Sequence, residues 1–227
     1  MFELCAETLE AVEAGECGGA DRAELCVRLE VGGLTPPLAL TAAAVRAVSM
    51  PIFVLIRPRE GDFVYSAAEF SLMKQQIEKT KQAGAGGVVL GVQRVDGRVD
   101  VERSRELVEL ARPMAVTFHR AFDRTPDLSE ALEAVIATGA DYLLTSGGAP
   151  QVLEGAEALA QLVRQAGERI RILAGGGLRL ENLAEIVERS GVQCLHGSLS
   201  HHAEDGATLE ARVRKAVGVM ESIFCCQ

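Results

Sequence analysis

Two short segments of the chain share one pattern: Glu3-Leu4-Cys5 in "FELC" and Glu24-Leu25-Cys26 in "AELC". If each is a β-strand, residues two apart point the same way, so a carboxyl and a thiol project together from each. Neighbouring strands lie roughly 4.8 Å apart, close enough for the two thiols to share one soft metal ion. Thiolates favour Cu(I) or zinc. The competing reading is that Cys5 and Cys26 are small buried hydrophobes, as free cysteines often are.

A third segment, "AVTFHRAFD" (115–123), runs as a β-branched and aromatic strand and then ends in His119, Arg120 and Asp123 instead of ordinary turn residues. Imidazole titrates near neutrality, which makes His119, with Glu24 or Asp123, a candidate acid/base set, and His196 in "CLHGS" a further proton-transfer candidate. Arg57 and Arg59 in "IRPREGDF" present guanidinium forks suited to carboxylate or phosphate. They would serve equally well to neutralise Glu3, Glu24 and Asp62. Ser146 and Gly147 in "LTSGG", Gly175, Gly176 and Gly177 in "LAGGG", and Ser198 supply hydroxyls and open backbone for an anion. Glycine runs also serve simply as tight turns. His201 and His202 read as surface residues on a loop.

These residues need elements to bring them together. Strand-like runs occur at 2–5, 23–26, 52–57, 87–91, 115–119, 141–146, 170–175 and 193–197. Amphipathic helical stretches such as "SAAEFSLMKQQIEKTKQAG" and "LRLENLAEIVERSG" separate most of them. Several helices end on a glycine placed for a C-cap, at Gly84, Gly139, Gly167 and Gly191. Helical crossovers demand parallel pairing, and eight βα units in 227 residues fit an α/β fold, a closed (β/α)₈ TIM barrel forming one domain over 1–227. No GxGxxG follows the first strand, which disfavours an open dinucleotide-binding sheet. In such a barrel the active site lies at the carboxyl ends of the strands, so the polar strand endings converge on one mouth. The tail after Ser198 reads as a loop and an eighth helix.

Composition narrows the partners. Lys and Arg number 23 against 32 Asp and Glu, a formal net charge of −9, which argues against nucleic acid and anionic membrane surfaces. The start "MFELCAETLE" has no basic and apolar leader pattern, so a cytoplasmic location is expected. Arg46 and Pro51 interrupt the longest apolar stretch, which reads as a helix followed by a strand. The six cysteines lack zinc-finger spacing and are expected as free thiols. The expected partner is a small-molecule anion or a metal ion; self-association into a homo-oligomer is left open.

Taken in order, "FELCAETLEAVEAGECGGADRAELC", "VGGLTP", "IRPREGDFVYS", "VTFHRAFD", "LTSGG", "LAGGG" and "CLHGS" make the chain resemble the CutC family of copper homeostasis proteins over nearly its whole length. The resemblance implies a cytoplasmic (β/α)₈ barrel and matches Cys5 and Cys26 to the two cysteines proposed in that family to bind copper as Cu(I). It supplies no established reaction. Two departures are Pro37, where the family often has Ser, and Leu199, where it often has Ala. Two functions of different class follow: Cu(I) handling through Cys5 and Cys26, or an enzyme of unknown reaction acting on a small anionic or phosphorylated metabolite. Copper needs only the thiols, whereas an enzyme accounts for the polar endings of the later strands.

Overall fold

The computed structural model describes residues 1–199 and 205–224. His201, His202, Cys225 and Cys226 lie outside the described residues. Strand and helix alternate throughout: β1 (Phe2–Ala6), α1 (Leu9–Gly18), β2 (Arg22–Leu25), α2 (Leu38–Ala47), β3 (Ile52–Leu55), α3 (Ala67–Gln82), β4 (Gly87–Leu90) and α4 (Val101–Ala111) form the first half. The second half is β5 (Ala115–Phe118), α5 (Leu128–Thr138), β6 (Tyr142–Thr145), α6 (Ala156–Ala166), β7 (Arg171–Gly175), α7 (Leu183–Ser190), β8 (Cys194–Gly197) and α8 (Gly206–Phe224). All neighbouring strands pair in parallel, and β8 returns to β1 to close the barrel. The expected TIM barrel is therefore present, with each strand within about two residues of its expected bounds.

Period-two alternation divides the strand residues into two cores. Leu4, Leu25, Val54, Val88, Val116, Leu143, Ile172 and Leu195 belong to the layer between sheet and helices. Cys5, Cys26, Phe53, Leu55 and Val89 form one cluster inside the barrel, and Leu144, Leu173 and Cys194 another. The two core types explain why the β-strands read as almost continuous apolar runs: both faces are covered.

Local signals set the boundaries. Ser66 and Glu69 form a reciprocal capping box at the start of α3, and Asp100 and Asp127 cap α4 and α5. Gly139, Gly167 and Gly191 terminate their helices as expected, and Gly84 follows the cap residue Ala83. Pro37 occupies the N-cap of α2 and offers no side-chain cap, so the hydroxyl that serine would supply there is missing. The ring closes where α8 meets α1 at Gly18; a Cβ on Gly18 would stand 2.6 Å from the Cβ of Val213. No helix among the described residues is long and apolar enough to cross a membrane.

Candidate metal and ligand site at the barrel mouth

Register brings the two Glu-x-Cys segments together. In the parallel pair β1–β2, Cys5 stands opposite Glu24, and the strand that carries His196 lies on the other side of β1, opposite Glu3. All four of these side chains are buried, as is Cys26. The Sγ atoms of Cys5 and Cys26 are 3.8 Å apart. Ligand atoms of Cys5, Glu24 and His196 lie within 4.8 Å of one another.

Beneath them is a buried residue that the sequence did not advertise. The Arg22 guanidinium lies between the rings of Phe53 and Tyr142, 4.0 Å from each centroid, and donates through Nε to Glu3. Glu3 in turn binds Nδ1 of His196 through its other oxygen, at 2.7 Å. Burial works against ionisation of Glu3, but Arg22 and His196 outweigh it and hold the carboxyl below its usual range. Glu24 is less well compensated: its Oε2 is buried without a hydrogen bond, 4.0 Å from Nδ1 of His196, and burial outweighs His196 and, with Glu3 adding to it, pushes the pKa up to about 7. His196 is shifted up because the two carboxylates overcome the cost of burying its charge. The hydrogen bond shared with Cys26, then burial, raises the Cys5 thiol well above its ordinary value.

On the far side of the mouth, His119 directly follows β5. The backbone N–H of Ala121 donates to its Nδ1 at 3.2 Å, which places the ring proton on Nε2. That nitrogen is buried and has no partner among the described residues. Burial, with Arg57 and Arg124 nearby, lowers the His119 pKa to about 3, so the ring is a neutral imidazole.

A 3₁₀ turn at Phe122–Arg124 folds Asp123 back onto the end of β6. Its carboxylate accepts from the Thr145 hydroxyl, from the N–H groups of Ser146 and Gly148, and from Nε of Arg120 at 2.7 Å. The second fork of Arg120 donates to Ser146 Oγ at 2.9 Å. Asp123 thus binds the loop after β6 and aims Arg120.

Cys5, Glu24, Arg57, His119, Arg120, Gly176, Gly177, His196 and Ser198 all line one cavity of about 270 Å³ at the carboxyl end of the barrel. Cys26 lies below it in the apolar cluster. Asp123, Ser146, Gly147 and Gly175 stand behind its wall, and Arg59 stands outside it, bound to Asp62 and Glu69. Arg57 reaches the cavity, but its guanidinium donates to the carbonyls of Val31, Gly33 and Gly61 and so braces two loops. Neither arginine neutralises Glu3; Arg22 does. Arg22 precedes the apolar part of β2 directly after Asp21 and reads as a turn residue, and only the inward phase set by Glu24 and Cys26 could have found it.

The fold and site together define a closed (β/α)₈ barrel protein with a buried group of Cys5, Glu24 and His196 at its mouth that could hold a metal ion. The CutC family model matches residues 1–201, and the chain belongs to that family. It is 46% identical over 198 residues to the family protein CutC of Caulobacter vibrioides, covering 87% of this chain and 80% of that one. The corresponding protein of Vibrio cholerae is 47% identical over 198 residues, covering 86% and 78%. A solved structure from Streptococcus agalactiae, which carries the name copper homeostasis protein CutC, superposes with a TM-score of 0.83 at 30% identity, covering 87% of this chain and 98% of that one. The thiamine phosphate pyrophosphorylase of Pyrococcus furiosus, at a TM-score of 0.67 and 17% identity over 98% of this chain and 95% of that one, shares the fold.

Proposed function

We propose that this protein handles Cu(I) as cargo, held at the barrel mouth by Cys5 and Cys26, with His196 beside Cys5. The observation that carries this reading is the 3.8 Å separation of the two sulfurs. Metal–sulfur bonds of about 2.3 Å let one ion bridge any two sulfurs up to about 4.6 Å apart. The separation is within that reach, and Cys5 also lies within 4.8 Å of the ligand atoms of Glu24 and His196, so Cys5 is the thiol common to both sets of donors. Because Nδ1 of His196 is engaged by Glu3, Nε2 is the ring nitrogen left to bind, and the carboxylate behind it fixes the ring as metal-binding histidines are usually fixed. A soft monovalent ion suits thiols and imidazole in a largely apolar pocket.

An anaerobic titration of the reduced protein with Cu(I), in competition with a chromogenic chelator, tests this. One equivalent should bind, Cys5→Ser and Cys26→Ser should each abolish tight binding, and Cys17→Ser, at an exposed thiol, should not. Retention of wild-type stoichiometry by the Cys5/Cys26 double variant contradicts the site.

A second reading is favoured by the size of the cavity. Its 270 Å³ equals roughly nine water volumes of about 30 Å³, far more than one ion fills. In this reading the barrel is an enzyme acting on a small anionic or phosphorylated metabolite. Glu24 is its proton-transfer group. His119, being neutral with its proton on Nε2, serves as an N–H donor to a substrate oxygen and not as the base its sequence position suggests. Asp123 acts by holding the loop. His119→Asn should leave the fold and ligand binding intact while turnover on any substrate found is lost.

A further inference from the structure

We propose that Arg120, with the backbone amides of Gly176 and Gly177, forms the binding site for the anionic group, phosphate or carboxylate, of a small molecule entering this cavity. The proposal rests on the second reading above. Of the arginines at the strand ends, Arg57 is engaged by three carbonyls and Arg59 by two carboxylates outside the cavity. Arg120 differs. Its Nε and one terminal nitrogen are fixed by Asp123 and Ser146, while its Nη1 has no protein partner among the described residues. Five donors from four residues (Arg120, Thr145, Ser146 twice and Gly148) hold the Asp123 carboxylate, so the guanidinium plane is set before any ligand arrives. Its side chain is 40% exposed, so a ligand can reach it.

The glycines complete the arrangement. Gly176 and Gly177 have φ of +108° and +77°, which side-chain-bearing residues rarely adopt. A Cβ on Gly176 would stand 2.8 Å from the Arg120 guanidinium and close the gap beside Nη1. Their carbonyls are anchored elsewhere, Gly176 by the N–H of Val152 at 2.7 Å and Gly177 by Asn182 Nδ2 at 3.0 Å. Among the described residues neither N–H has an acceptor. A planar fork beside two consecutive unpaired amides, after the seventh strand of a (β/α)₈ barrel, is a recurrent way to hold such groups. Copper binding uses none of these donors.

The test uses inorganic phosphate and, separately, malonate as probes, with titration calorimetry for affinity and amide chemical shifts for location. Wild-type protein should bind at least one probe with shifts at the Gly176 and Gly177 amides. Arg120→Gln should weaken it about tenfold or more, as loss of a charge-assisted bond does, with circular dichroism confirming the fold. Arg59→Ala should bind as wild type. Equal binding by Arg120→Gln, or shifts elsewhere, overturns the assignment while leaving a small anionic ligand in place. Failure of the wild type to bind either probe overturns both. If Arg120→Gln does not fold, Arg120→Lys, which keeps the charge and loses the planar fork, carries the same expectations.

Discussion

The Nδ1 of His196 lies 2.7 Å from Oε1 of Glu3, although 192 residues separate them in the chain before the count reaches its partner. The barrel closure pairs β8 with β1 and makes the two residues neighbours. Glu3 is wholly buried, and Arg22 is its compensating charge. Removing one partner of a buried pair leaves the other uncompensated, at a cost of about 3 kcal/mol or more. Arg22→Ala should therefore lose about that much stability in urea unfolding. The double variant Glu3→Gln/Arg22→Met, which removes both charges and keeps an acceptor for His196, should recover most of it. Equal destabilisation by the single and double variants would contradict the pairing.

His119 predicts an acid sensitivity. Its folded pKa of about 3 lies below the unfolded value of 6.5, so between these values the unfolded chain holds a proton that the folded chain does not. Stability contributed above pH 6.5 is thus lost as pH falls, by about 2 kcal/mol between pH 7 and pH 5. His119→Asn, whose amide oxygen can still accept from Ala121, should show a correspondingly shallower fall over that range. Parallel stability profiles for the two proteins would place the ring in contact with water.

Proton release should accompany copper uptake. Cys5 holds its proton well above the ordinary thiol range because of its bond with Cys26 and its burial, yet a thiol must lose that proton to bind metal. Cu(I) affinity should climb from pH 6 to pH 8, and the Cys5→Ser variant should lose that dependence with the binding itself. A flat profile in the wild type would exclude Cys5 as a ligand.

The barrel was legible because both sheet faces are apolar and each helix carries its own punctuation, so strand and helix signals alternate without conflict. Glu3, Cys5, Glu24, Cys26 and His196 were legible for a related reason: inside a regular strand, period two fixes the side on which each side chain falls. Beyond the strand ends that rule lapses. Arg57 and Arg59 are two residues apart, yet β3 stops at Leu55, and the loop turns one into the cavity wall and the other outward. Asp123 and Arg120 fall on opposite sides of the wall because a 3₁₀ turn, set by contacts with the end of β6, directs the carboxylate to the loop and the guanidinium to the cavity.

The most direct measurement of the central claim is an anomalous difference map at the copper edge from crystals of the Cu(I)-loaded protein grown without oxygen. A single peak within bonding distance of the Sγ atoms of Cys5 and Cys26, with His196 beside it, is the result expected. A peak at Cys17, or at the carboxy-terminal Cys225 and Cys226 with none between Cys5 and Cys26, would contradict the copper assignment.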